Sequence, residues 1–325
     1  MSGSAGFDPV LVTGGSGFVG ACAVRELLSR GHEVHVLLRA QSDPWRLGSV
    51  LGQLRVHRGD VTDAAAVRAV LYGVRPRAVL HLATHGAYEK QADARAILRT
   101  NVLGTYNLLE ASAEAGVAAF VNTGSSSEYG FKSEPMRETD RLEPNSFYAV
   151  GKAAQTHLCR LLATRSAMGI AVFRLFSVYG PWEEPSRLMP TLIRRARAGL
   201  PLEMVSPRTV RDFVYVADVL DALLNLSAVS QMRGPVINLG SGVETSMREV
   251  VDTVLDLLGS RSEVRWGAMA ARQWDSTRWA ADAAKAKALL GWQPRHTLRQ
   301  GLARLAEWME ATGDYDGIAQ RRAAG

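Results

Sequence analysis

Short apolar runs alternate with longer stretches whose apolar positions recur at three- and four-residue spacing. The runs predict strands at Val10–Thr13, Glu33–Leu38, Leu54–His57, Ala78–Leu82, Ala119–Asn122 and Ile170–Leu175. The periodic stretches predict helices near Phe18–Arg30, Ala64–Tyr72, Ala94–Ala115 and Phe147–Ser166. Near-continuous apolar strands separated by helices indicate an α/β fold, a doubly wound parallel sheet covered on both faces. Ligands of such sheets bind beyond the carboxyl ends of the strands. After Gly180 the pattern changes: Pro181, Pro185, Pro190, Pro201 and Pro207 interrupt short strands. Amphipathic helices follow at Met247–Leu258, Ala281–Leu290 and Leu298–Ala311. The expected organisation is a sheet domain over residues 1–180, with crossings back near 210–240, and a smaller C-terminal α/β lobe over 181–325.

Composition narrows the class. A chain of 325 residues buries a full core without staples. Its two cysteines, Cys22 and Cys159, fall in helical stretches and read as small core residues. There is no run of 18 apolar residues, and the N-terminus lacks a basic region followed by an apolar one. A cytoplasmic protein without a membrane partner is expected. The net charge of +6 includes clusters at Arg194, Arg195 and Arg197 and at Arg321 and Arg322. Acidic residues are mixed among them and no nucleic-acid motif is present, so a nucleic-acid partner is not expected. A mild positive balance suits anionic cofactors and phosphorylated substrates.

Gly14, Gly17 and Gly20 follow the first strand and open the first helix. Glycines there let the backbone turn tightly and approach a pyrophosphate, and the helix N-terminus supplies N–H groups and positive dipole. Ser16, Phe18 and Val19 belong to the same turn. The second strand ends at Arg39, where a carboxylate would bond the adenosine ribose of NAD. A guanidinium pairs instead with a 2′-phosphate, so NADP(H) is favoured over NAD(H). The alternative for Arg39 is a solvated strand-end arginine.

Tyr148 and Lys152 stand four residues apart, after Asn145 or Ser146 as helix cap, and so project from one helical face. An ammonium beside a phenol lowers the phenol's pKa, which suits proton transfer to a carbonyl or alcohol oxygen. Lysine is the rarer choice here: five lysines stand among 38 basic residues. A solvated helical face is the bland alternative.

These pieces together resemble the extended short-chain dehydrogenase/reductase family, in its nucleotide-sugar epimerase, dehydratase and ketoreductase branch. The resemblance spans nearly the whole chain. It rests on the glycine triplet, the runs Gly59–Val61, His81–Ala83, Thr100–Thr105, Ser125–Gly130 and Tyr148–Lys152, and later Arg174–Pro181, Arg211–Asp218, Asn238–Gly240 and Leu290–Pro294. It implies a Rossmann domain with a nicotinamide cofactor, held also by Asp60, Val61, Leu82, Ala83, Thr84, Asn101, Thr123, Phe176 and Val178. It makes Tyr148 the acid/base, Lys152 the residue that tunes it and bonds the nicotinamide ribose, and Ser125 the donor to the reacting oxygen. A nucleophilic serine is not expected, because no His–Asp arrangement accompanies it.

Substrate contacts are expected from His85, Tyr88 and Glu89 after the fourth strand, from Ser126 and Ser127, and from Ser177, Arg187 and Leu188. Arg211 and Arg272 match positions that grip a pyrophosphate in relatives. Dehydratases of the family carry an acidic pair directly after the Ser/Thr. Ser126 and Ser127 occupy those places here and Glu128 comes one position late, so dehydration is not expected. No second His or Cys stands near His85, so no metal site is expected. The resemblance therefore implies an NADPH-dependent 4-ketoreductase acting on an NDP-4-keto-6-deoxyhexose. The alternatives are an NAD-dependent nucleotide-sugar 4-epimerase and a non-catalytic dinucleotide-binding sensor. The family commonly forms homodimers through the helices expected at Ala94–Ala115 and Phe147–Ser166, which carry Leu103, Leu108, Leu109, Leu158, Leu161 and Leu162.

Overall fold

The computed structural model describes residues 6–88, 91–270, 278–313, 315 and 317. A seven-stranded sheet organises the chain: β1 (Val10–Thr13), β2 (Val34–Leu38), β3 (Arg55–Arg58), β4 (Ala78–His81), β5 (Ala119–Ser125), β6 (Gly169–Leu175) and β7 (Arg233–Leu239). Its spatial order is β7-β6-β5-β4-β1-β2-β3, with every pairing parallel. The order reverses between β1 and β4. That switch point opens the crevice in which such sheets hold ligands.

The central strands are buried on both faces, which is why they read as unbroken apolar runs. One face packs on α1 (Phe18–Ser29) and on helices Val216–Leu223 and Leu226–Ser230, joining Val10, Val12, Leu27, Val121, Phe173 and Leu223 in one core. The other face packs on α2 (Ala64–Val74), α4 (Gly104–Glu114) and α5 (Phe147–Ala163), around Leu71, Leu109, Phe120 and Ile170. A separate core joins α6 (Leu188–Arg197) to helices Met247–Leu258 and Leu298–Ala311 through Ile193, Met204, Val251 and Leu305. This core is distinct from the two that cover the sheet.

Three differences from the sequence pattern bear on the site. The helix expected over Ala94–Ala115 is broken into α3 (Ala94–Leu98), a π-helical turn at Arg99–Leu103, and α4. The seventh strand, Arg233–Leu239, was not among those expected; a register shift between Arg233 and Val236 accommodates Gly234 and Pro235 at the sheet edge. Leu108 and Leu109 belong to the core, whereas Leu98, Leu103, Tyr106, Phe147, Val150 and Leu161 are large apolar residues of those helices that are exposed. Among the described residues no helix is long and apolar enough to cross a membrane, and no group of three or more His, Cys, Asp or Glu is placed to hold a metal ion.

Candidate active site

The turn between β1 and α1 is built around missing side chains. Gly14 sits at φ +71°, and a Cβ on it would lie 2.5 Å from the backbone of Leu82 and Ala83. A Cβ on Gly20 would strike the Gly14 carbonyl. The helix cap is Gly17, which supplies no capping side chain, and the first turn of α1 carries no acidic residue. N–H groups at the positive end of α1, on a turn whose glycines let its backbone pack tightly against Leu82, Ala83 and itself, fit the pyrophosphate of a dinucleotide.

Beneath the turn runs a fully buried hydrogen-bond chain. Thr105 donates its one hydroxyl proton to the Asn101 carbonyl at 2.7 Å. Its oxygen lies 2.8 Å from His81 Nε2, so that nitrogen carries the proton and donates. His81 Nδ1 then accepts from the Thr13 hydroxyl at 2.8 Å. Burial, and secondarily the Lys152 charge, pushes the imidazole down to about 3, so it stays neutral. Asn101, in the π-turn, accepts the His85 N–H at 2.8 Å and donates to the His85 carbonyl at 2.9 Å. Its Oδ1 also accepts from Thr84. Asn101 was expected as a structural or cofactor-side residue, and its partners fix the Thr84–His85 loop. A π-turn placing a polar residue beside a ligand crevice is a recurrent device.

The catalytic candidates converge above this chain. Ser146 caps α5 by accepting from the Ala149 N–H, which starts the helix that carries Tyr148 and Lys152. Lys152 is buried, and its Nζ donates to the Thr123 carbonyl at 2.8 Å. Burial pulls its pKa down to about 8, against the raising influence of Glu128. The Nζ lies 5.9 Å from the centroid of the Tyr148 ring. The expected lowering of the Tyr148 pKa is reversed in the structure. Burial of the hydroxyl raises it to about 12; Ser125 and, more weakly, Arg187 oppose the rise, and Glu128 and Tyr88 add to it. In this arrangement the phenol is held as a proton donor.

Ser125 ends β5 beside Tyr148. Its Oγ lies 2.7 Å from Ser127 Oγ and accepts the Ser127 N–H at 3.2 Å. When Ser127 also donates its hydroxyl proton, that of Ser125 remains to donate to a reacting oxygen. Glu128 faces away from this work. Fully buried, it accepts from Ser125 N–H, Thr156 Oγ1 and Arg174 Nε at 2.8, 2.8 and 2.9 Å. It braces the loop and is not free to act on a substrate.

Tyr88 and Arg187 close one side. The Arg187 guanidinium lies 4.9 Å over the Tyr88 ring and donates to the Ala87 carbonyl at 3.3 Å. Arg187 caps α6 and Leu188 is its first residue. The half-buried His85 imidazole is lowered by burial and then by Arg39, and raised by Asp93. Ser126 is buried and accepts the Trp279 indole N–H at 3.3 Å, while Arg211 lies 5.5 Å over that indole. Arg211, Trp279 and Ser126 thus join the later chain to the loop that follows β5. Ser177 is half-buried and its N–H donates to the Asp212 carbonyl at 2.9 Å. Phe176 is buried with Tyr129 and Trp279, and Val178 packs against the core on the α1 face. Val61 is buried beneath α4, and Asp60 accepts the Thr62 N–H at 2.8 Å. Glu89 and Arg272 lie outside the described residues.

Two arginines escaped the sequence reading. Arg58 ends β3 in register with Leu38, and its Nη1 donates to the Arg39 carbonyl at 3.2 Å. It brings a second arginine against the Arg39 backbone at the ends of β2 and β3; its place as last residue of its strand is the signal that points to it. Arg46 is buried under the glycine turn, and no local pattern announces it.

Residues 10–240 match the profile of the NAD dependent epimerase/dehydratase family. A dTDP-glucose 4,6-dehydratase of Xanthomonas campestris pv. campestris (strain B100) is 32% identical over 325 aligned positions, covering 92% of each chain. Among solved structures, the UDP-glucose 4-epimerase of Thermotoga maritima with UDP-glucose superposes with a TM-score of 0.84 at 26% identity, covering 93% of this chain and 99% of that one. MoeE5 in complex with UDP-glucuronic acid and NAD gives 0.81 at 35% identity, with the same coverage. With a glycine cradle at the switch point and a Tyr–Lys–Ser cluster beside it, this chain belongs to the NAD dependent epimerase/dehydratase family of extended short-chain dehydrogenase/reductase enzymes.

Proposed function

We propose that the protein is an NADPH-dependent 4-ketoreductase acting on an NDP-4-keto-6-deoxyhexose. The observation that carries this reading is the pair of guanidinium groups at the ends of β2 and β3. Arg39 and Arg58 are joined through the Arg39 carbonyl, and among the described residues neither has a carboxylate partner. Asp43, four residues on, accepts the Trp45 N–H at 3.0 Å. An Arg39 guanidinium without a carboxylate partner, with Arg58 held against the Arg39 backbone, suits a 2′-phosphate. A cofactor of that type supports net reduction.

The nicotinamide, when bound, supplies the hydride. The side chains do the rest. Tyr148 donates a proton to the forming alkoxide, and Ser125 donates a hydrogen bond to the same oxygen. Lys152 supplies positive charge behind the phenol and fixes its helix face against Thr123. Arg187 and Arg211 offer forks for a diphosphate. The engagement of Glu128 by Arg174 and Thr156 weighs against β-elimination of water, although the dehydratase relative shares the scaffold.

A nucleotide-sugar 4-epimerase using NAD is the second reading. It is favoured by the likeness to the UDP-glucose 4-epimerase of Thermus thermophilus complexed with NAD, 30% identical with a TM-score of 0.81. The deciding experiment incubates the protein with NDP-4-keto-6-deoxyhexoses bearing different nucleotides and follows absorbance with NADPH and with NADH. Consumption of NADPH is expected. No consumption of either, with interconversion of plain NDP-hexoses, would establish the epimerase instead. The exposed Leu103, Tyr106, Phe147, Val150 and Leu161 support a homodimer, and light scattering that gives a monomer at micromolar concentration would reject it.

A further inference from the structure

We propose that Arg46 is a positioning residue that clamps the cofactor turn to the loop bearing Arg187. Arg46 lies in the 3₁₀ segment after β2, well separated in sequence from both, and is 4% exposed. Its guanidinium bridges two distant segments at once. Nη1 donates to the Ser16 carbonyl within the glycine turn at 3.3 Å. Nε donates to the Trp182 carbonyl at 2.6 Å, and Nη2 pairs with the Glu184 carboxylate at 2.9 Å. Its cationic face lies 4.2 Å over the Trp45 ring. Its own carbonyl accepts from Arg25, whose guanidinium in turn covers the Trp182 ring at 4.0 Å.

The loop so held runs from Pro181 to Arg187, and it is a costly conformation to leave unsupported. Trp182 stands at φ +68°, which a bulky side chain rarely adopts. The next residue, Glu183, is buried; burial raises its carboxyl, and the Arg187 charge is the largest influence opposing that rise. The far end of the loop presents Arg187 over Tyr88, close enough to bias Tyr148. One guanidinium therefore holds both the Ser16–Gly17 peptide, whose N–H closes the turn on the Gly14 carbonyl, and the loop that delivers Arg187. A lysine cannot replace it: an ammonium lacks the planar fork that serves a carboxylate and two carbonyls from one centre.

The inference rests on the dinucleotide and diphosphate assignments above but not on the direction of the reaction. Its test reads NADPH and NAD+ binding by fluorescence and calorimetry without turnover, then KM and kcat for the sugar nucleotide that is active. Arg46→Met is expected to weaken dinucleotide binding by about tenfold or more, from loss of charge-assisted hydrogen bonds. It is also expected to raise KM for the sugar nucleotide. Arg46→Lys should not rescue either constant. Glu184→Gln, which loosens the loop but leaves Arg46 on Ser16, should raise KM while leaving dinucleotide affinity within about twofold. Should Arg46→Met not fold, the Arg46→Lys and Glu184→Gln pair carries the same contrast. Wild-type dinucleotide affinity in a folded Arg46 variant would overturn the proposal, as would variants that lose melting temperature with all three constants unchanged.

Discussion

Replacing His81 by glutamine tests the buried chain under the glycine turn through its pH dependence. An unfolded imidazole titrates near 6.5, whereas the folded one is held down to about 3 by burial and by Lys152. The folded value is the depressed one, so the unfolded chain binds the proton first as pH falls. The stability contributed by a neutral His81 is complete above about pH 6.5 and is lost progressively towards pH 3. The loss amounts to under about 0.1 kcal/mol at pH 7.5, about 1.4 kcal/mol at pH 5.5 and about 2.7 kcal/mol at pH 4.5, from RT ln(1 + 10^(6.5−pH)). Glutamine keeps a donor and an acceptor but cannot charge. His81→Gln is less stable at neutral pH, because its amide cannot span both Thr13 and Thr105. The gap between the two proteins then narrows by about 1.4 kcal/mol between pH 7.5 and 5.5. Urea unfolding followed by tryptophan fluorescence, at fixed ionic strength, measures it. Other buried groups such as Glu183, raised to about 8, titrate alike in both proteins and cancel. Parallel stability curves, or a His81 ring resonance that titrates between pH 6 and 7, would refute the neutral chain.

Lys152 gives an alkaline limit: with its pKa drawn down to about 8, kcat/KM should be flat below that pH and fall about tenfold per unit above it. Lys152→Arg should be slower but lack that limb, and a wild-type profile flat to pH 10 would contradict the assignment. Arg39→Ala and Arg58→Ala should each raise KM for NADPH about tenfold or more, with little change for NADH; equal effects on both dinucleotides would remove the case for a 2′-phosphate. Glu128→Gln leaves the Arg174 guanidinium buried without its counter-charge and should cost about 3–5 kcal/mol in urea unfolding. A loss below about 1 kcal/mol would show that Glu128 is not the brace described above.

The strands of the first half were legible because a sheet covered on both faces demands unbroken apolar runs, and Val10–Thr13 and Ala78–His81 meet that demand. β7 was hidden by Gly234 and Pro235, which sequence reasoning takes as a breaker and which an edge strand tolerates at a bulge. The Tyr148–Lys152 spacing gave the helix face correctly. The sign of the phenol's shift was not readable, because it depends on how much water the rest of the chain excludes. Glu128 was set aside on position alone; its engagement by Arg174, 46 residues away, was not readable. Arg46 reaches Trp182 and Trp279 reaches Ser126, each across more than a hundred residues of chain. No local pattern encodes such meetings.

The late arrival of β7 has a consequence for biosynthesis. Until Leu239 has left the ribosome, β6 offers an open row of peptide groups along Gly169–Leu175, a strand that carries Ile170, Val172 and Phe173. A nascent or truncated chain stopping near residue 180 would present that sticky margin to other chains, so the two lobes are best cloned and expressed as one piece, with chaperone dependence greatest while the intervening stretch is still being translated.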